Sequence, residues 1–263
     1  MLMRGLFRLR TSRLALVAFV LMLLVCAQAV RADTWVPGQL NVYDEGAWGD
    51  EVSPSAAATL LLTHYDIVYA STFGVFEVGS PSGFTMYFTK AATLVEYLPA
   101  SGIPGVLDAS LVDPTSSSAG VFGGDVAALK LNVDFSDAGL LPGSADIPFG
   151  NLILRNLNSS FAALDELTVR QVLGDADACL GGSSCIIDVG DFEAVVANLN
   201  ASFSNGYPDS FAEDFLVAPG GSSGGGSGPP SVPEPMSVLL LGVGLLTLGT
   251  VHHKRRGGDA AHR

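Results

Sequence analysis

The ten residues Val126-Ala-Ala-Leu-Lys-Leu-Asn-Val-Asp-Phe135 decide how the middle of this chain is read. In them Leu129, Leu131, Val133 and Phe135 alternate with Lys130, Asn132 and Asp134. Alternation sends the two classes to opposite faces of an extended chain, so the stretch predicts a half-buried β-strand. Working outward, Asn151-Leu-Ile-Leu-Arg155 is a shorter strand candidate. Another is 67–78, rich in Val, Phe, Tyr and Thr but broken by Gly74. Gly102, Gly105, Gly120, Gly123, Gly124, Gly139 and Gly143 punctuate this region as turns.

Further along, the period changes. Thr168-Val-Arg-Gln171 is a capping box, after which Val169, Val172, Leu173, Ala176 and Leu180 fall on one helical stripe until Gly181-Gly182 ends it. A second helix is expected after Asp188, with Phe192, Val195, Val196, Leu199 and Phe203 on one side. The expected fold class is therefore α+β, with a β-rich first two-thirds and a helical hairpin in the last third. It forms a single globular domain over residues 33–218.

The two ends read differently. Arg4, Arg8, Arg10 and Arg13 precede an apolar run from Leu14 to Val25 and then Ala27, Ala29 and Ala32, the order of a secretory signal peptide over residues 1–32. Cleavage is expected after Ala32, with Ala29 the alternative. Val25 stands where a lipobox carries a small residue, so lipidation at Cys26 is not expected. Residues 219–231, composed of Gly, Ser and Pro, read as a flexible tether. Residues 236–251 are almost wholly apolar, and at about 1.5 Å per residue they just reach across a bilayer. Lys254, Arg255 and Arg256 follow the segment and no basic cluster precedes it, which predicts the domain outside and the extreme tail in the cytoplasm.

Charge excludes whole classes of partner. Between residues 33 and 232 there are 24 acidic residues against Lys90, Lys130, Arg155 and Arg170. A field of that sign repels nucleic acid and anionic lipid, because both are bound through Lys and Arg that replace counterions. With Cys26 removed alongside the leader, Cys179 and Cys185 are the remaining cysteines of an exported chain, and a disulfide between them is expected.

Catalytic sets are not evident. His64 is the sole histidine before the apolar tail, so a Ser-His-Asp triad or a histidine-rich zinc site lacks its partners. No phosphate-binding or dinucleotide fingerprint occurs. Asp175, Asp177, Asp188, Asp191 and Glu193 offer oxygen ligands, but their spacing does not match a calcium-binding helix-loop-helix, and they read instead as helix-end carboxylates. No metal, no cofactor and no enzymatic activity are expected. Carboxylates are numerous enough that a glycosidase-like pair is the leading rival.

The order Val232-Pro233-Glu234-Pro235, apolar segment, Lys254-Arg255-Arg256 resembles the PEP-CTERM sorting signal of Gram-negative bacteria, so residues 232–263 form the sorting tail. The resemblance implies export by the Sec machinery, transient residence in the inner membrane and processing by an exosortase, a membrane protease-transpeptidase, in organisms that make exopolysaccharide or biofilm. It carries the sorting role onto Pro233, Glu234 and Pro235. The domain itself is similar to a module of other bacterial surface proteins. Tyr43-Asp-Glu-Gly-Ala-Trp48-Gly49, Tyr97-Leu-Pro-Ala-Ser-Gly102, Ser118-Ala-Gly-Val-Phe-Gly-Gly124 and Leu167-Thr-Val carry that likeness. Asp44-Glu45 departs from the uncharged residues expected beside Tyr43. The function expected is a non-enzymatic envelope or matrix protein of structural or adhesive role at the cell surface. The alternatives are an extracellular carbohydrate-active enzyme and a glycan- or ice-binding module.

Overall fold

The structure, a computed structural model, describes residues 35–50, 56–143 and 147–219. In chain order, a helical turn α1 (Glu45–Trp48) and helix α2 (Ala56–Val68) lead into strands β1 (Phe76–Gly79) and β2 (Thr85–Phe88). Helix α3 (Ala91–Tyr97), strand β3 (Leu111–Val112) and helix α4 (Val121–Asp137) follow. The chain continues through β4 (Ile153–Leu154), α5 (Val169–Leu180), α6 (Val189–Ala201), α7 (Ser210–Phe215) and β5 (Leu216–Val217). The leader 1–32, the sorting residues Pro233, Glu234 and Pro235, the segment 236–251 and Lys254, Arg255 and Arg256 lie outside the described residues. Among the described residues no helix is long and apolar enough to cross a membrane.

The α+β class holds, but the β-rich first two-thirds does not. Residues 126–135 are the middle of α4, a 17-residue helix in which 13 residues are buried, including all of 122–129. A helix buried around most of its circumference belongs in the middle of a core, and α4 is covered by α1, α5, α6, β1 and the 3₁₀ turn Phe149–Asn151. Because burial extends around the helix, Leu129, Leu131, Val133 and Phe135 are all sequestered although they do not share one face. Asn132, read as solvent-facing, is also buried. Its side chain accepts from the Tyr43 amide at 2.9 Å and donates to the Tyr43 carbonyl at 2.7 Å and to Asn200 Oδ1 at 3.0 Å. Those bonds remove the cost of burying an amide.

Gly123 and Gly124, expected in a turn, lie instead in the first part of α4. A Cβ on Gly123 would meet Tyr97 Oη at 2.5 Å, and one on Gly124 would meet Glu45 Oε2 at 2.0 Å. Glycine there permits close approach of α1 and α3.

Of the candidate strand 67–78, only its end is extended. Val68 closes α2, a 3₁₀ turn spans Ala70–Thr72, and β1 begins at Phe76. β1 pairs antiparallel with β2, placing Phe76 opposite Phe88, Glu77 opposite Tyr87 and Val78 opposite Met86, and β3 adds parallel to β2. Phe76, Val78, Met86 and Phe88 are fully buried, whereas Glu77 and Tyr87 are half-buried on the other face. Ile153 and Leu154, inside the shorter strand candidate, pair with β5.

Downstream, both expected helices are present. Thr168 and Gln171 close the capping box on α5, and Gly181 caps its end. The stripes Val169, Val172, Leu173, Ala176 and Leu180 on α5, and Phe192, Val195, Val196 and Leu199 on α6, are buried. The two helices pack chiefly against α4 rather than each other, so they form the cover of a third helix and not a self-contained hairpin. Cys179 and Cys185 are joined by a disulfide with Cα atoms 4.6 Å apart, which ties the turn after α5 to its last helical turn.

Candidate functional site

A groove forms on the outer face of β1 and β2 because three local choices of backbone converge there. Strand pleat turns Glu77 and Tyr87 away from the core as a cross-strand pair. On α4, Lys130, Asp134 and Asp137 recur at intervals of four and three and so share the one face of that helix that is not fully covered. After α2, Phe73 and Gly74 take left-handed backbone, φ 59° and 76°, and reverse the chain so that Tyr69, Thr72 and Phe73 rim the opening. The groove is open to solvent, with a volume of about 780 Å³.

Polar groups in the groove are organised around Asp134. Its Oδ2 accepts from the Tyr69 hydroxyl at 3.1 Å and lies 3.2 Å from Lys130 Nζ. Lys130 also stands 5.9 Å from the centroid of the Phe76 ring. Arg170 pairs with Asp137 at 2.8 Å. Burial raises the Asp134 carboxyl above its ordinary value, against the pull of Lys130 and of the Tyr69 hydroxyl. Burial, followed by the Asp134 charge, drives the Tyr69 phenol well above its ordinary range. Asp177 of α5 reaches the same strand, where its Oδ1 accepts from the Gly79 amide at 2.9 Å. It is pushed up to about 7, first by burial, with Lys130 opposing and Asp134 and Glu77 adding. The groove thus sets aromatic faces beside carboxylates and one ammonium.

A second set of carboxyls is shared by α1, α4 and α6. Glu45 of α1, Asp125 of α4 and Glu193 of α6 are electrostatically linked, and Asp125 is buried. Burial, then the charges of Glu45 and Glu193, raise Asp125 to about 8, while Asn200 opposes. Glu45 rises to about 7, chiefly through burial, although its Oε2 accepts from the Ala100 amide at 3.2 Å. Protonation of Asp125 relieves its repulsion with Glu45 and Glu193, so its carboxyl is where α1, α4 and α6 trade charge against burial.

The candidate ligands named from sequence separate into other settings. Asp188 caps α6 by accepting from Gly190, Asp191 lies in the first turn of that helix, Asp177 faces Gly79, and Glu193 belongs with Asp125. His64 is half-buried on α2. Among the described residues, no group of three or more His, Cys, Asp or Glu is arranged to hold a metal ion. In the Tyr43–Gly49 stretch, Asp44 caps α1 by accepting from Ala47 at 2.7 Å, Glu45 meets Ala100 and Trp48 is fully buried, so both acidic residues have a structural use.

Sequence reasoning missed the groove residues Tyr69, Phe73, Glu77 and Tyr87, and assigned Lys130 and Asp134 to a strand face. The available signals were the i, i+4, i+7 spacing of Lys130, Asp134 and Asp137 and the Phe73-Gly74 reversal. Comparison with protein-family models, with curated proteins and with solved structures finds no match to this chain.

Proposed function

We propose that this chain is an exported envelope or matrix protein, passed through the Sec machinery and sorted by an exosortase, whose folded domain has a non-enzymatic structural or adhesive role. The observation that carries the reading is the order of the tail: a Gly/Ser/Pro tether, Pro233-Glu234-Pro235, an apolar segment and Lys254-Arg255-Arg256. Three glycines, Gly242, Gly244 and Gly249, each weaken a helix by about 1 kcal/mol relative to alanine, which suits a temporary anchor. Proline at positions 233 and 235 disfavours helix there, which suits a cleavage site. The excess of acidic groups in the domain favours solubility in a polysaccharide-rich medium and opposes binding to polyanions.

Expression in an exosortase-bearing host tests the reading. Replacing Pro233, Glu234 and Pro235 by alanine leaves membrane insertion intact and blocks processing, and deleting Lys254 to Arg256 weakens the orientation signal. Recovery of the surface form still carrying Val251 to Arg263 refutes sorting and makes the tail a plain anchor.

A carbohydrate-active enzyme is the second reading, favoured by Asp134 and Asp177, both held above the ordinary carboxylate range beside one groove. Polysaccharide cleavage lost in Asp134→Asn or Asp177→Asn would establish it over the non-enzymatic role.

A further inference from the structure

We infer that the groove between the Phe73 turn, the outer face of β1–β2 and α4 is a binding site for a stretch of uncharged polysaccharide. The inference names a ligand for the adhesive role proposed above.

Phe73 is the strongest pointer. The residue is 97% exposed, and its backbone sits at φ 59°, in the left-handed region. A bulky residue there costs on the order of 1 kcal/mol, and a ring in water gains no burial to offset it. Stability does not account for such a residue. A ligand that covers the ring does, since it would recover the apolar burial that the folded chain forgoes. Tyr87 supplies a second ring on the groove wall, directly across the strand pair from Glu77.

The mixture of groups selects the chemistry. A pyranose presents an apolar C–H face to an aromatic ring and a rim of hydroxyls that both donate and accept. Glu77, Lys130 and Asp134 provide acceptors and a donor at one wall of the groove. A lipid tail or apolar peptide would desolvate those groups without returning hydrogen bonds. A polyanion would meet a domain of 24 acidic and 4 basic residues, in which the charge of Lys130 is balanced by Asp134 while its ammonium, with three N–H bonds, can still donate to a hydroxyl. An uncharged glycan meets neither penalty, and the groove's volume of about 780 Å³ accommodates more than one sugar ring.

The test is affinity electrophoresis of the full chain in mild detergent, through gels holding a neutral glucan, galactan, mannan or N-acetylhexosamine polymer, with alginate as the polyanion. Retardation by at least one neutral polymer and none by alginate is expected. Phe73→Ala should weaken that retardation about tenfold, equivalent to one stacked ring. Phe73→Trp should preserve it, and Tyr207→Ala, removing an exposed ring outside the groove, should leave it unchanged. Since Phe73 packs against little, its alanine variant should melt with the parent, so lost binding is not lost folding. No retardation by any neutral polymer, equal retardation of Phe73→Ala and parent, or preference for alginate would each overturn the inference. None of these outcomes bears on tail processing, so the sorting proposal stands or falls separately.

Discussion

Replacing Asn132 by leucine distinguishes the buried helix from the strand that the local pattern suggests. In the structure Asn132 is 0% exposed and serves three bonds, to the Tyr43 amide, the Tyr43 carbonyl and Asn200 Oδ1. Leucine has the same branched heavy-atom skeleton, is bulkier, and satisfies none of them. Each buried group left without a partner costs about 1–3 kcal/mol. Asn200 is fully buried and bears the full penalty, whereas Tyr43 is half-buried and water relieves part of its loss. The added apolar burial returns about 1–2 kcal/mol. The net is a loss of about 3 kcal/mol, a large part of the 5–15 kcal/mol typical of a domain. Urea unfolding of residues 33–218, followed by the fluorescence of Trp35 and Trp48, measures it as a lower midpoint at unchanged slope. A change below about 0.5 kcal/mol is what a solvent-facing position gives. That result would refute the buried-helix reasoning and return Asn132 to the polar face of a strand.

The raised carboxyls predict a pH dependence of defined sign. Asp125 and Glu45 bind protons up to about 8 and about 7 in the folded state, while in the unfolded chain they ionise at ordinary carboxylate values. Stability is therefore greatest below about pH 4 with respect to these groups and falls as pH rises towards 8. Asp125→Asn should flatten that decline, gaining on the parent at pH 8 and not at pH 4, and an unchanged slope in paired denaturation curves counts against a raised Asp125 carboxyl. For the disulfide, peptide mapping of secreted protein should recover Cys179 and Cys185 in one linked peptide. Reduction should lower stability by about 2 kcal/mol, the chain-entropy value for so short a loop. Alkylatable thiols at both positions would refute the link.

Features set by short-range chemistry were legible in the residues alone. The capping box at Thr168 and Gln171 and the apolar stripes of α5 and α6 depend on residues within a few turns, and they are where the periodicity puts them. The Cys179–Cys185 link closes over a separation of only six residues. The α+β class was legible for the same reason. Only the tertiary structure decided the state of 126–135, because apolar residues at every second position suit a half-buried strand and also a helix buried around most of its circumference. The choice rests on whether Asn132 has distant partners, and Tyr43 and Asn200 lie 89 and 68 residues away. The groove is of the same kind. Tyr69 and Asp134 are 65 residues apart and become neighbours because α4 presents its Lys130–Asp134–Asp137 face beside the turn that follows α2. Local propensity cannot encode a meeting of that range, since it is set by which surfaces the whole core must bury.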